Sequence, residues 1–275
     1  MGDRGRRPAA HLPGRPASRR LVRGRDDAER LSREVRELYL EQRSVAETLQ
    51  HALLPSRLPA IPDMVIEARY LPGATGVDIG GDWYDLVPLD GGRFVFKVGD
   101  VSGRGVDAAA VMASLHFAGR AYALEGYTPQ VILDHLAQTL DVAENGHFAT
   151  VLCGLVDIAA HTVRLANAGH LPPVVSSEGQ SAVVPVKPGP PIGILDGSPY
   201  EESMVTVPPR GVLIAYTDGL VERRGEIVDA GIKRLQEAAS HDCGSLGELL
   251  DRIITELTGD SPADDIAVIG LEWQN

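Results

Sequence analysis

Carboxylates recur in this chain at the ends of apolar runs, most of them beside glycine. Asp100 closes FVFKVGD and is followed by VSGRG. Asp82 stands in GGDWYD, Asp218 follows VLIAY in YTDGL, and Asp264 and Asp265 precede IAVIGL near the C-terminus. Any one of these alone reads as a turn residue, because Asp-Gly is a common turn pair. Together they describe one acidic edge. The KVGDVSGRG segment is not a phosphate cradle: it has neither G-x-x-x-x-G-K-[ST] nor G-x-G-x-x-G, and an aspartate at a strand end repels phosphate unless a cation lies between. Ligands that are all oxygen favour magnesium or manganese over zinc, for which Cys and His would be expected. Two such ions about 4 Å apart can activate a water and neutralise a phosphoryl group.

A hairpin must position the first two carboxylates. GGDWYDLVPLDGGRFVFKVGD reads as a strand, a turn at Asp90-Gly91-Gly92 and a second alternating strand. With the turn centred on Gly91, residues whose numbers sum to 182 oppose each other, which places Asp82 across from Asp100. Like charges opposed across strands destabilise a sheet, so such a pair implies a cation between them or a protonated carboxyl. Gly80, Gly81, Gly103 and Gly105 allow backbone and ligand to approach closely. Beyond the hairpin the spacing predicts helices over 106–124 and 129–144, the latter capped by Thr128. Strands are predicted over 148–156, 163–167, 173–175, 183–186, 203–207, 212–216 and 266–272, with a Pro/Gly loop over 187–193 and helices over 230–239 and 246–257. Helices followed by many short strands argue for an α+β fold rather than a parallel α/β one.

The chain has 275 residues, 44% of them hydrophobic, enough for one large domain with an appendage. A net charge of −12 argues against a nucleic-acid surface over most of it. No apolar run approaches membrane-helix length, so a soluble, cytoplasmic protein without a membrane partner is expected. The two cysteines, Cys153 and Cys243, give no disulfide framework. Residues 1–28 form an Arg-rich segment with little to bury, which predicts a disordered tail. Over 29–55, Leu31, Val35, Leu38, Gln42, Val45, Leu49 and Ala52 alternate four and three apart until Pro55. This heptad seam suits a homodimer or an activating partner, and equally an amphipathic helix lying on its own domain. Residues 56–275 form the remaining domain.

The ordered motifs GGDWYD, VGDVSGRG with GVDAAAVMASL after it, ANAGHLPP, YTDGL and DDIAV resemble the metal-dependent PPM protein phosphatases, in particular their bacterial SpoIIE/RsbU-like branch. The resemblance covers roughly residues 49–273. It implies a β-sandwich of two mainly antiparallel sheets flanked by helices, and a centre of two Mn2+ or Mg2+ ions. By motif, Asp100 would bridge both ions, the Val101 carbonyl would bind one, Asp218 and Asp264 would hold the other, and Asp82 would touch one directly or through water. Either member of the Asp264/Asp265 pair could be the ligand. A metal-activated water would attack a phosphoserine or phosphothreonine on a regulatory protein, in this branch a phosphorylated anti-sigma-factor antagonist.

The chain departs from the wider family at two positions. A histidine, the proposed general acid, is replaced by Ser102, and the Thr that usually continues the terminal motif is Ala267. His170 in ANAGH is a candidate acid, although a lone histidine beside a turn is more often structural. A catalytically degenerate binding module is one competing reading. A two-metal nucleotidyl cyclase is another, weakened because Trp83 and Tyr84 stand where GGDEF carries acids.

Overall fold

Period-two burial sorts the strands of this protein onto two stacked sheets. The computed structural model describes residues 30–38, 54–55, 57–73, 80–194, 197–241, 243–259 and 262–274. Contacts divide the chain into two units, Met1–Gln42 and Arg43–Asn275. In the first, residues 30–38 are helical (α1), and Leu31, Val35 and Leu38 of the heptad stripe are exposed. Gln42, Val45, Leu49 and Ala52 lie outside the described residues, as does the Arg-rich segment 1–28.

The second unit runs β1 (Met64–Leu71), β2 (Trp83–Leu89), β3 (Arg93–Val101), α2 (Val106–Leu124), α3 (Pro129–Ala137), α4 (Val142–Asn145), β4 (Ala149–Asp157) and β5 (Thr162–Ala168). It continues with β6 (Val174–Ser177), β7 (Gln180–Val183), β8 (Pro188–Gly189), β9 (Glu202–Thr206), β10 (Val212–Tyr216), a 3-10 turn (Asp218–Leu220), α5 (Val228–Ala239), α6 (Leu246–Thr258) and β11 (Ile266–Trp273). One sheet has the order β1-β11-β10-β6-β7; the other has β2-β3-β4-β5-β8, with β9 also on β5. Among the described residues, only the β5–β8 pairing is parallel. This is the expected α+β sandwich of two mainly antiparallel sheets.

Because both faces of each sheet are covered, alternate residues enter different cores. On β3, Phe94, Phe96 and Val98 join Leu213, Ala215, Ala267, Ile269 and Leu271 between the sheets, whereas Val95 and Val101 pack outward with Met112, Leu115 and Leu133 of α2 and α3. On the far side, Ile214, Tyr216 and Val268 pack against Leu235, Leu250 and Ile253 of α5 and α6. One charged pair interrupts the outer layer. Lys97 is 1% exposed, and its Nζ lies 3.0 Å from the fully buried Asp85 carboxylate, which Arg120 of α2 also reaches at 2.6 Å. Buried pairs of this kind add little stability by themselves but are costly to break, so they tie α2 to one place on the β2–β3 hairpin.

The hairpin has the predicted register: Trp83 pairs Gly99 and Leu89 pairs Arg93. It extends one step further, where the Val101 N–H donates to the Gly81 carbonyl at 3.1 Å. At the turn, Gly91 and Gly92 have φ of 75° and 68°, a region that favours glycine.

Three sequence expectations are corrected. The helix expected over 129–144 stops at Ala137, and a separate α4 begins after Asp141, whose side chain accepts from the Ala143 N–H at 2.8 Å. Thr128 holds the N-cap position but makes no side-chain cap bond. The strand expected over 183–186 is Gln180–Val183, because Glu178 and Gly179, at φ 50° and 74°, close a tight turn that pairs Ser177 with Gln180. Strand β1 was not expected at all; its half-buried residues give a weak alternation signal, yet it pairs with β11 along its whole length.

Candidate metal centre

Both sheets end in carboxylates at the same edge of the sandwich. The β2–β3 ladder, continued through Gly81 and Val101, brings Asp82 opposite Asp100. Their parity is that of Phe96 and Val98, which face the other sheet. From that sheet, Asp218 follows β10, and Asp264 and Asp265 precede its neighbour β11. The four acidic sites are thus brought together, although the sequence separates them widely.

Two hollows open at this edge. One, of about 400 Å³, is lined by Gly80, Gly81, Asp82, Asp100, Val101, Ser102, Gly103, Arg104 and Asp264. The second, of about 170 Å³, is lined by Asp100, Thr150, Gly169, His170, Leu171, Asp218, Glu222 and Val228. Asp100 is the one residue common to both. Asp265 lines neither hollow. Its Oδ1 accepts from the Gly73 N–H at 2.6 Å, and a Cβ at Gly80 would fall 1.4 Å from its Oδ2. Gly80 is therefore required by close approach.

Burial dominates the electrostatics, and crowding of like charges adds to it. Burial pushes the Asp82 carboxyl well above the usual range, and the charge of Asp100 adds to it. Asp100 is raised to about 7, by burial first and by the Asp218 charge second. Asp218 is raised to about 6 by burial, then by Glu222 and Asp264. Two carboxyls facing each other at this burial favour a proton on one of them while no cation is bound. Asp82 is 4% exposed, and its Oδ2 has no hydrogen-bond partner.

These residues fit a hard divalent cation. Every donor is oxygen, the Val101 carbonyl included, and an added positive charge would favour the ionised carboxylates. Among the described residues, no three of His, Cys, Asp and Glu already close on one point. The donors are gathered around the hollows without being drawn together.

His170 is a brace for this edge. Its Nε2 lies 3.0 Å from the Tyr216 carbonyl, which can only accept, so Nε2 carries the hydrogen and Nδ1 accepts from the Thr150 hydroxyl at 2.8 Å. Burial lowers its pKa to about 4, against the smaller effect of the Tyr216 bond. A neutral ring with both nitrogens engaged joins β4 to β10 and leaves no proton for a leaving group. Ser102 is tied to Phe148: its N–H donates to the Phe148 carbonyl at 2.8 Å and its Oγ accepts from the Phe148 N–H at 2.9 Å. At Ala267 the backbone N–H donates to the Thr217 Oγ1 at 2.8 Å. A hydroxyl thus reaches this position from β10's end.

Three residues at the site were not singled out as site residues from the sequence. Thr217 and Glu222 flank Asp218 within TDGLVE, and Arg104 lies in the first hollow with Nη2 2.7 Å from Asp264. For Arg104 a signal was present, a single cation between two glycines immediately after the motif aspartate.

The pattern of the Stage II sporulation protein E (SpoIIE) family matches residues 90–274. The chain belongs to the SpoIIE family. Asp82 precedes the matched span, whereas Asp100, Asp218, Asp264 and Asp265 lie inside it. Protein IcfG of Synechocystis sp. is 27% identical over 257 residues, covering 81% of this chain and 40% of that protein. Phosphoserine phosphatase RsbP of Bacillus subtilis is 24% identical over 204 residues, covering 72% and 49%. The chain therefore spans about half the length of the curated relatives it matches. The crystal structure of the RsbU and RsbW domains of Rv1364c from Mycobacterium tuberculosis superposes with a TM-score of 0.73 at 28% identity, covering 81% of this chain and 63% of that one. The SpoIIE-family chain thus has the PPM phosphatase fold.

The raised carboxyls give a sign for pH dependence. With Asp100 moved from 3.8 to about 7 and Asp218 to about 6, the folded chain binds more protons than the unfolded one across that window, so stability falls as pH rises through it. In chelator the melting temperature is expected to be higher at about pH 5 than at about pH 8, with the fall smaller in Asp100→Asn and reversed by saturating manganese. A melting temperature unchanged between those pH values in chelator would contradict this.

Proposed function

We propose that this chain is a metal-dependent serine/threonine protein phosphatase acting on a phosphorylated regulatory protein. The observation that carries the reading is that Asp100 lines both hollows, with Asp82, Val101 and Asp264 in one and Asp218 in the other. In this proposal Asp100 would serve both of two Mn2+ or Mg2+ ions. The Val101 carbonyl would hold one ion and Asp218 the other, Asp82 would contact a metal directly or through water, and Asp264, expected from the resemblance to share an ion with Asp218, lines the hollow of Val101. Asp265, committed to Gly73 and packed against Gly80, positions the loop and is not a ligand. When bound, such ions acidify a water and neutralise phosphoryl charge. The chain's own part is to hold the carboxylates at one edge and keep His170 neutral as a brace. The relative named a phosphoserine phosphatase and the solved pairing of RsbU and RsbW domains support a phosphorylated regulatory partner of the anti-sigma-factor-antagonist type.

The cyclase reading loses further ground, because Trp83 and Tyr84 are buried core residues. Phosphate release from an aryl phosphate, titrated with manganese, tests the proposal: saturable, chelator-sensitive turnover is expected, with a loss of about 100-fold or more in Asp100→Asn. A folded chain that binds manganese and turns nothing over would favour the degenerate module.

Residues 29–55 are proposed as the regulatory or dimerising helix and 56–275 as the phosphatase domain; the Arg-rich segment 1–28, expected from the sequence as a tail, lies outside the described residues. The exposed Leu31, Val35 and Leu38 support an apolar seam in need of a partner. Removing residues 1–55 should lower the sedimentation coefficient beyond the lost mass; an unchanged oligomeric state would remove the dimer.

A further inference from the structure

Around the larger hollow the side-chain charges are three carboxylates and one guanidinium. Among the described residues that line it, Arg104 is the only basic one, against Asp82, Asp100 and Asp264. Its place follows from the backbone. Gly103 and Gly105 on either side have φ of 90° and 95°, so the chain turns sharply twice and presents Arg104 at the rim rather than along β3. There its Nη2 meets Asp264 Oδ1 at 2.7 Å. The Asp265 backbone N–H reaches the same oxygen at 2.9 Å. Arg104 is 41% exposed and Asp264 53%, and an ion pair so open to water is weak and exchangeable.

We propose that Arg104 anchors the phosphoryl group of the substrate, and that Asp264 holds it in reserve until a divalent cation takes that carboxylate. The inference rests on the phosphatase reading and adds to it a named substrate contact. A phosphate monoester cannot enter a cleft of carboxylates unless positive charge meets it. The fork of N–H donors on a guanidinium matches two phosphoryl oxygens at once, which an ammonium does not. While Asp264 is paired with Arg104, cation and guanidinium compete for it. Once the carboxylate turns to a cation, the guanidinium is left to the phosphoryl oxygens. By reciprocity, phosphate then binds more tightly to the cation-loaded chain, and the cation more tightly to the phosphate-loaded one.

The test uses the full chain, with manganese alone and then inorganic phosphate as probes, followed by calorimetry. Arg104→Gln should bind manganese at least as tightly as the parent, because Asp264 loses its competitor. It should bind inorganic phosphate about tenfold or more weakly once loaded with manganese, the loss expected for a charged hydrogen bond. Arg104→Lys should recover part of the phosphate binding, since it keeps the charge without the fork. For an aryl phosphate the larger change should be in KM. Equal phosphate affinity in the parent and Arg104→Gln would overturn the anchor and leave the phosphatase reading intact. Manganese affinity reduced tenfold in both variants would overturn the exchange, showing that Arg104 only holds Asp264 in position. Conversely, a parent chain that binds phosphate through Arg104 yet hydrolyses nothing would support the anchor and sink the phosphatase reading.

Discussion

Carboxylates that cannot all be ionised together are the constraint from which the rest of this site follows. Asp82 and Asp100 are forced opposite each other by the β2–β3 register, and Asp218 and Asp264 arrive from the other sheet. Burial first, and the neighbouring carboxylates second, disfavour the charged forms while no cation is bound, which is why Asp100 is raised to about 7 and Asp218 to about 6. A sandwich core offers no water to screen such charges, and their edge position leaves one side open for a cation to do so. The same constraint explains why Arg104 leans onto Asp264.

Holding like charges together requires stiff surroundings. His170 spans Thr150 and Tyr216, linking the two sheets just behind Asp100 and Asp218. Thr217 and Ala267 exchange backbone and hydroxyl hydrogen bonds, locking the end of β10 to the start of β11. Asp265 is held by Gly73 and pressed against Gly80, so the loop carrying Asp264 is fixed from behind. On the other face, Asp85, paired with the buried Lys97 of the same hairpin, also holds Arg120 of α2. Each brace is neutral or internally paired, so none competes with the carboxylates for an arriving cation.

Much of this was legible in the sequence because the governing periods are local. Alternation in FVFKVGD and the Asp90-Gly91-Gly92 turn were enough to set the hairpin register, and hence the Asp82–Asp100 opposition. The acidic edge was legible as a recurrence of Asp at strand ends. The different surroundings of Asp264 and Asp265 were not, because Asp265's contacts are with Gly73 and Gly80, remote in sequence and close in space. Strand β1 escaped notice because an edge strand with half-buried residues alternates weakly. The break after Ala137 and the α4 cap depend on Asp141, an ordinary helix-surface residue until its side chain is seen to accept from Ala143. The heptad over 29–55 was plain as a pattern, and only Leu31, Val35 and Leu38 of it fall among the described residues.

The most direct test of the central claim is the proton count of manganese binding. Calorimetry on the full chain near pH 6, in two buffers of different ionisation enthalpy, reports protons released as the ion binds. If crowded carboxyls are the cation site, binding expels on the order of one or more protons, and Asp100→Asn weakens binding sharply. Binding with no proton release, or with affinity unchanged in Asp100→Asn, would contradict the account.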